Sequence, residues 1–160
     1  MKKRVYLETT IVSYLASRPS RDLVVAAHQE ITREWWEKRR KAFAVYISQV
    51  VLDESSSGDR EAAKRRFDLV ASVPVLAVTE DVAELAERLI DDGPIPREAA
   101  DDALHIAVAA VHGIDFLLTW NCKHLANAQF RGAVSQVLFQ NGYASPIICT
   151  PEELMETGHA

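Results

Sequence analysis

The chain has 160 residues, of which 48% are hydrophobic, a length and composition that suit one sizeable core and predict a single domain over residues 1–160. Its 18 lysines and arginines against 23 aspartates and glutamates give a formal net charge of -5, which does not favour indiscriminate attraction to nucleic acid. No apolar run is long enough for a membrane span or a secretory signal, so we expect a soluble, cytoplasmic protein with no membrane partner.

Short β-branched and aromatic runs alternate with segments of helical periodicity along the chain. Polar residues suited to capping precede the helices, with Thr9 or Thr10 before the first and Ser48 before a later one. In chain order, the predicted elements are a strand at 5–7, helices at 11–15 and 20–41, a strand at 44–47, helices at 48–54 and 61–70, a strand at 74–78, helices at 79–91 and 97–112, a strand at 116–120, two short helical stretches, a strand at 146–149 and a helix at 151–154.

This alternation predicts an α/β fold with a mostly parallel central sheet of about five strands and helices on both faces. In open sheets of this kind, ligands bind beyond the carboxyl ends of the strands. Polar residues near those ends, or on the helix that leads into the fourth strand, are therefore candidates for a common site: Glu8, Glu54, Asp101, Asp102 and Asn121.

Carboxylates brought together repel one another and resist burial, so a cluster of them is costly unless a cation fills it. Oxygen ligands select hard ions such as Mg²⁺ or Mn²⁺. The same residues also have ordinary explanations. Glu8 and the two aspartates suit the positive end of a helix dipole, Glu54 suits a solvated helix face, and Asn121 suits a turn. Topology alone leaves a metal site and these explanations equally open.

The cysteines and two of the histidines give weaker signals. Cys122 and Cys149 are far apart and form no C-x-x-C spacing, so we expect two reduced core thiols and no zinc or disulfide framework. His105 shares a helix face with Asp102 at a spacing of three residues, and a core histidine hydrogen-bonded within the fold is favoured over a general base. His112 lacks a third nearby ligand for zinc.

Four segments of the chain, taken together, resemble the PIN-domain family and, more narrowly, the VapC-type toxins of toxin–antitoxin pairs. They span roughly residues 4 to 125, most of the chain, and occur in the expected order: YLETTIVSYL at 6–15, IS at 47–48 with Glu54 six residues after the serine, DALHIAVA at 102–109, and LLTWN at 117–121.

The resemblance implies a three-layer α/β/α domain whose acidic pocket holds Mg²⁺ or Mn²⁺ and whose activity is RNA phosphodiester cleavage. Carried over residue by residue, the four family positions fall on Glu8, Glu54, Asp102 and Asn121. The first and fourth are ordinarily aspartate. Glutamate keeps the charge on a side chain longer by one methylene, whereas asparagine keeps an oxygen acceptor and loses the charge, so metal affinity should be weaker.

In the implied mechanism, Glu8 and Asp102 would be direct metal ligands, while Glu54 would orient a water or complete a second site. Asn121 would accept a hydrogen bond or coordinate weakly. Three further residues are possible helpers. Thr9 could hydrogen-bond to the carboxylates, Asp101 neighbours Asp102 on the helix, and His124 could contact substrate beside the pocket.

The resemblance also implies an RNA substrate, a cognate antitoxin and a homodimer. Basic clusters at 38–41 and 64–66 could guide RNA phosphates, although a solvated helix face is their ordinary explanation. The alternative function is a catalytically weak or inactive PIN-like module that binds RNA or protein. A phosphoryl-transfer enzyme of the haloacid-dehalogenase type would need an Asp-x-Asp after the first strand, and a nucleotide-binding module would need a glycine-rich loop; the sequence has neither.

Overall fold

A computed structural model describes residues 1–156 of the chain. Within them, strands and helices alternate, with five β-strands, seven α-helices and three short 3-10 segments. The elements are β1 (Lys3–Leu7), α1 (Thr9–Ala16), α2 (Leu23–Lys38), β2 (Phe43–Ser48), α3 (Gln49–Ser55), α4 (Arg60–Val70), β3 (Val75–Leu76), α5 (Glu80–Asp91), α6 (Ala100–Val111), β4 (Phe116–Leu118), α7 (Ala128–Gln140) and β5 (Ile147–Cys149), and the 3-10 segments are Arg40–Ala42, Arg97–Ala99 and Pro151–Leu154.

The five strands form one sheet in the order β3-β2-β1-β4-β5, and every neighbouring pair is parallel. Helices cover both faces, which confirms the predicted three-layer α/β/α architecture. Strand β1 is central, and its Val5, Tyr6 and Leu7 are fully buried, as expected for a parallel strand with helices on each side. Since the strands run in one direction, their carboxyl ends lie along a single edge of the sheet.

Helix α6 carries the most buried face of the molecule. From Ala103 to Ala110 all but one residue is buried, because half of these residues are alanines, which let the helix pack closely against its neighbours. The helix ends at Val111, one residue before the predicted 112, and is followed by the predicted stop at Gly113, whose φ of 68° is readily available to glycine. The turn sends the chain directly into β4, so α6 and the end of β4 are held in a fixed relation.

Several predicted elements differ from those observed. The two short helical stretches expected after β4 are one helix, α7, whose buried side is formed by Val134, Val137 and Leu138. Strand β3 is shorter than the predicted 74–78, because only Val75 and Leu76 pair with β2 at this edge of the sheet. The last predicted helix is a single 3-10 segment.

Two smaller predictions also need correction. Cys149 is buried as expected, whereas Cys122 is exposed because it lies in the turn after β4 and outside the core. Neither Thr9 nor Thr10 caps α1; Glu8 occupies the N-cap position and makes no side-chain cap, which frees both threonine hydroxyls for other partners.

No helix within residues 1–156 is both long enough and apolar enough to cross a membrane.

Candidate active site and metal centre

Glu8 stands at the carboxyl end of the central strand, between β1 and α1, and is only 3% exposed. Its Oε1 accepts hydrogen bonds from the hydroxyls of Thr10 at 2.6 Å and Thr119 at 2.5 Å. Thr119 lies one residue beyond β4, so the two donors reach the carboxylate from neighbouring strand ends. The other oxygen of Glu8 makes no hydrogen bond with any residue in the range 1–156.

Glu54 reaches the same region from α3, the helix that leaves β2. Its Oε1 accepts hydrogen bonds from Thr9 Oγ1 at 2.6 Å and from His105 Nε2 at 2.6 Å. The side chain is 31% exposed, and its second oxygen has no hydrogen-bond partner in the part of the chain that the structure describes. Each glutamate is therefore fixed through one oxygen and leaves the other free for a ligand.

A series of hydrogen bonds between buried side chains supports Glu54. His105 Nδ1 lies 2.6 Å from Tyr6 Oη, and Tyr6 Oη lies 2.7 Å from Ser48 Oγ. A carboxylate only accepts, so His105 Nε2 is the donor to Glu54. With a neutral imidazole, Tyr6 donates to His105 Nδ1 and Ser48 donates to Tyr6. The favoured prediction for His105, a core histidine hydrogen-bonded within the fold, is confirmed.

The pKa values of these side chains follow from their burial and their hydrogen bonds. Burial by itself would lower the pKa of His105, but the hydrogen bond and charge of Glu54, with the charges of Glu8 and Asp102, raise that pKa above its ordinary 6.5. Partial burial would raise the pKa of Glu54, but His105 and Thr9 lower it below its ordinary 4.5. Burial raises the pKa of Tyr6, so its phenol stays protonated.

Asp102, Asn121 and His124 form a second group. Asp102 Oδ1 accepts from Asn121 Nδ2 at 3.0 Å, and Asp102 Oδ2 lies 2.8 Å from His124 Nδ1. The Asn121 carboxamide oxygen accepts from the backbone N–H groups of Lys123 and His124, at 3.1 and 3.2 Å. Asn121 thus orders the turn after β4 and holds Asp102 in place.

The donor atoms available to a cation are grouped around the two glutamates. Glu8, Glu54 and His105 each offer one ligand atom within 4.8 Å of the other two, and Asp102 does not join that group. Neither glutamate makes an ion pair with a lysine or arginine of the described chain. Two carboxylates this close, one buried and both with a free oxygen, fit a hard divalent cation such as Mg²⁺ or Mn²⁺. Both nitrogens of His105 already have partners, so this histidine positions Glu54.

The site opens to solvent through a depression of about 500 Å³ lined by Thr9, Asp53, Glu54, Ser57 and Asp101. Asp101 and Asp102 are adjacent on α6 and therefore point in different directions. Asp101 lines this depression, whereas Asp102 turns to Asn121 and His124. Three carboxylates around one opening give it a negative charge, which attracts cations and repels phosphates.

Sequence reasoning missed Thr119, Tyr6 and Ser48 as members of the site. Thr119 was hidden because the fourth strand was expected to continue through residue 120, whereas β4 ends at Leu118. With the correct strand end, the rule that placed Glu8 in the site would have included Thr119. Tyr6 lies inside a buried strand, where an aromatic residue indicates only packing.

A parallel three-layer α/β/α domain with paired acidic residues at the carboxyl edge of its sheet is the class of molecule that this fold and site define. The sequence profile of the PIN domain matches residues 5–125, and the chain belongs to the PIN-domain family. No curated protein matches the chain significantly in sequence.

Two solved structures share the fold. VapBC2 from Rickettsia felis, bound to a DNA fragment from its promoter, superposes with a TM-score of 0.57 at 19% identity, covering 92% of this chain and 98% of that one. VapC20 of Mycobacterium tuberculosis, described as a toxin that cleaves the sarcin-ricin loop, has a TM-score of 0.57 at 20% identity, covering 74% of this chain and 91% of that one. At these identities the likeness concerns the fold.

Proposed function

We propose that the protein is a metal-dependent endoribonuclease that hydrolyses RNA phosphodiester bonds at the carboxyl edge of its sheet with Mg²⁺ or Mn²⁺. The observation that carries this proposal is the pair Glu8 and Glu54, each fixed by two hydrogen bonds through one oxygen and free at the other. Carboxylates so well fixed and without a lysine or arginine partner are explained by a cation that binds between them.

When bound, a divalent ion would activate water as a nucleophile and neutralise charge that builds on the phosphate oxygens. Glu8 and Glu54 would hold it with their free oxygens. The threonine hydroxyls and His105 keep those oxygens in place, so little reorganisation is needed during the reaction. Asp102, held by Asn121 and His124, would complete the ligand set through a remaining lone pair or through water. We further propose that Thr9 helps to hold Glu54, that Asp101 lines the approach to the site, and that His124 helps to hold Asp102.

We also propose that the protein is the toxin of a toxin–antitoxin pair, with a cognate antitoxin as its protein partner and a homodimer as its assembly. The structural neighbours support the first two points, because one is a VapBC complex and the other is a toxin that cleaves the sarcin-ricin loop. The homodimer rests on the family resemblance alone.

The test is cleavage of a mixed RNA substrate by purified protein in Mg²⁺, Mn²⁺ or EDTA. We expect cleavage with either metal, none in EDTA, and a loss of about a hundredfold or more in Glu8→Gln and Asp102→Asn, since each removes one anionic charge from the site. Glu84→Gln, an exposed position on α5, is the matched control and should cleave as wild type does. Unchanged cleavage in Asp102→Asn would remove Asp102 from the site.

One observation favours the alternative, a catalytically weak or inactive PIN-like module that binds RNA or protein. Asn121 stands where the family ordinarily has aspartate, and its carboxamide is occupied by Asp102 and by two backbone N–H groups. The site therefore has one anionic ligand fewer. RNA binding by wild type without cleavage in either metal would establish this alternative.

A further inference from the structure

We propose that a pocket between α1 and α4, lined by Arg18, Arg65 and Arg66, binds a backbone phosphate of the RNA substrate beside the acidic depression. The pocket has a volume of about 170 Å³, and its polar lining also includes Ser13 and Ser17. The inference rests on the proposed ribonuclease function and names how the substrate is held at that site.

The three guanidinium groups have no acidic partner among residues 1–156. This distinguishes them from Arg33, Arg88 and Arg97, each of which forms an ion pair with a neighbouring carboxylate. A cluster of like charges without counterions is unfavourable by itself, so an anion that enters the pocket gains from all three groups.

Two of the arginines are held in place by hydrogen bonds to backbone carbonyls and keep other nitrogens free for an anion. Arg65 donates from Nε to the carbonyl of Ala16 at 3.2 Å, which leaves its terminal nitrogens free. Arg66 donates from Nε and a terminal nitrogen to the carbonyl of Ser55, at 3.0 and 2.9 Å, and from that terminal nitrogen to Ser57 at 2.8 Å. Arg18 makes no side-chain hydrogen bond within the described residues. Planar guanidinium groups suit the geometry of a phosphate.

The pocket adjoins the acidic depression through two shared elements. Ser57, which Arg66 contacts, also lines the depression. Along α1, Thr9, Ser13 and Ser17 recur every four residues and so lie on one face of the helix, from Thr9 at Glu54 to Ser17 at the pocket. The axial distance between Thr9 and Ser17 is about 12 Å at 1.5 Å per residue.

This arrangement fits an extended strand of RNA. The depression is lined by Asp53, Glu54 and Asp101 and repels phosphate unless a cation is bound. A separate basic pocket a short distance away gives the strand an attachment point of opposite charge. The Ser13 hydroxyl makes no hydrogen bond within residues 1–156 and is available to a phosphate oxygen. The pocket would then hold a phosphate neighbouring the one that is cleaved.

The test measures binding of a fluorescent single-stranded RNA in EDTA, which separates binding from cleavage. The variants are Arg18→Gln and Arg65→Gln, and the matched control is Lys64→Gln, which removes the same charge from the next position of α4 outside the pocket. We expect the dissociation constant to rise about tenfold in each arginine variant, as for loss of a charged hydrogen bond. In each arginine variant, the plot of log association constant against log salt concentration should become less steep by about 0.7.

In cleavage assays with metal, the arginine variants should raise KM and leave kcat near the wild-type value. Affinity unchanged in Arg18→Gln, whose side chain makes no hydrogen bond or ion pair within residues 1–156, would overturn the inference even if Arg65→Gln fails to fold. Equal weakening in Lys64→Gln would also overturn it and indicate diffuse attraction. RNA binding that depends on the arginines, without cleavage, would support the phosphate pocket and reject the ribonuclease function. Cleavage that does not depend on the arginines would support the ribonuclease function and reject the pocket. A wild type that binds no RNA either in EDTA or with metal, and that does not cleave, rejects both.

Discussion

Glu8 illustrates how closely one side chain is matched to its partners. Its Oε1 meets hydroxyls from Thr10 on α1 and Thr119 beyond β4, and both distances are short. The longer side chain at a position where the family ordinarily has aspartate is therefore accommodated by specific donors. An aspartate placed here would end one methylene short of those hydroxyls.

We predict that Glu8→Asp lowers activity although it introduces the residue that the family ordinarily has. The carboxylate would be displaced by about an ångström, and a misplacement of that size can reduce kcat/KM by about a hundredfold. The measurement is kcat/KM for RNA cleavage together with Mn²⁺ affinity by calorimetry. Thr119→Val should lose part of the same contact, and its effect should largely vanish in the Glu8→Asp background. Wild-type activity in Glu8→Asp would show that the contacts with Thr10 and Thr119 do not require a side chain as long as glutamate at position 8.

The pair Glu54 and His105 gives a prediction about pH. The pKa of Glu54 is lowered on folding, so its contribution to stability is present above about 4.5 and is lost as the pH falls through the lower folded pKa. The pKa of His105 is raised on folding, so its contribution is present below about 6.5 and is lost as the pH rises through the higher folded pKa. The pair therefore stabilises the fold most between these two values.

The measurement is the free energy of unfolding in urea and EDTA across this range for wild type and Glu54→Gln. We expect their difference to be largest between about pH 4.5 and 6.5, at roughly 1.5 to 3 kcal/mol, and to shrink on both sides. Thr9→Val, which removes the other hydrogen bond to the same oxygen, keeps the pair and should keep the pH dependence. A difference that does not shrink as the pH rises above about 6.5 would mean that His105 stays neutral throughout.

At the level of elements, the turn between α6 and β4 fixes the position of both groups of the site. Helix α6 carries Asp102 and His105, and Thr119 and Asn121 follow β4. The turn is closed by hydrogen bonds from Gly113 N to Ala110 O at 3.2 Å and from Ile114 N to Ala109 O at 2.9 Å. The positive φ of Gly113 makes this closure possible.

We predict that Gly113→Ala lowers the free energy of unfolding by about 1 to 2 kcal/mol, because a side chain at positive φ is strained. Gly132→Ala is the matched control. Gly132 lies inside α7, and a Cβ added there meets nothing within 4 Å. That variant should gain about 0.5 to 1 kcal/mol from helix propensity. Urea unfolding measures the change in free energy of unfolding for both variants. Changes of the same sign would contradict the role assigned to the positive φ of Gly113.

Element order and sheet type followed from the sequence because hydrophobic periodicity and helix caps are local signals. Ser48 caps α3 as its position predicts, and Thr79 caps α5. The region of α7 was divided wrongly, since Gly132 and the few buried positions of that helix give a weak period. Strand β3 was predicted too long because pairing length depends on the neighbouring strand, which a local pattern does not contain.

For the whole molecule, topology was enough to bring Glu8, Glu54, Asp102 and Asn121 to one edge of the sheet, but not to divide them into two groups. That division depends on hydroxyl and imidazole partners that reach across elements, from Thr119 to Glu8 and from His105 to Glu54. Side-chain hydrogen bonds of this kind are set by distances of a few tenths of an ångström. No spacing along the chain encodes them.

The last prediction concerns metal and the stability of the whole fold. An ion that binds the folded state alone stabilises it by RT ln(1 + [L]/Kd), which is about 2.7 kcal/mol at a concentration one hundred times the dissociation constant. We expect Mn²⁺ to raise the free energy of unfolding of wild type and of the exposed control Glu84→Gln, and to leave Glu8→Gln nearly unchanged. Urea unfolding with and without the ion measures this gain.

The same variant should behave differently without metal. In EDTA, Glu8 and Glu54 repel each other, whereas the carboxamide introduced by Glu8→Gln would keep an oxygen that can accept from Thr10 and Thr119 and would carry no charge. Glu8→Gln should therefore be as stable as wild type in EDTA or more stable, and less stable in Mn²⁺. This reversal separates a carboxylate retained for a cation from one retained for folding. A variant destabilised equally in both conditions would assign Glu8 to the fold, because the loss would then come from its threonine contacts alone.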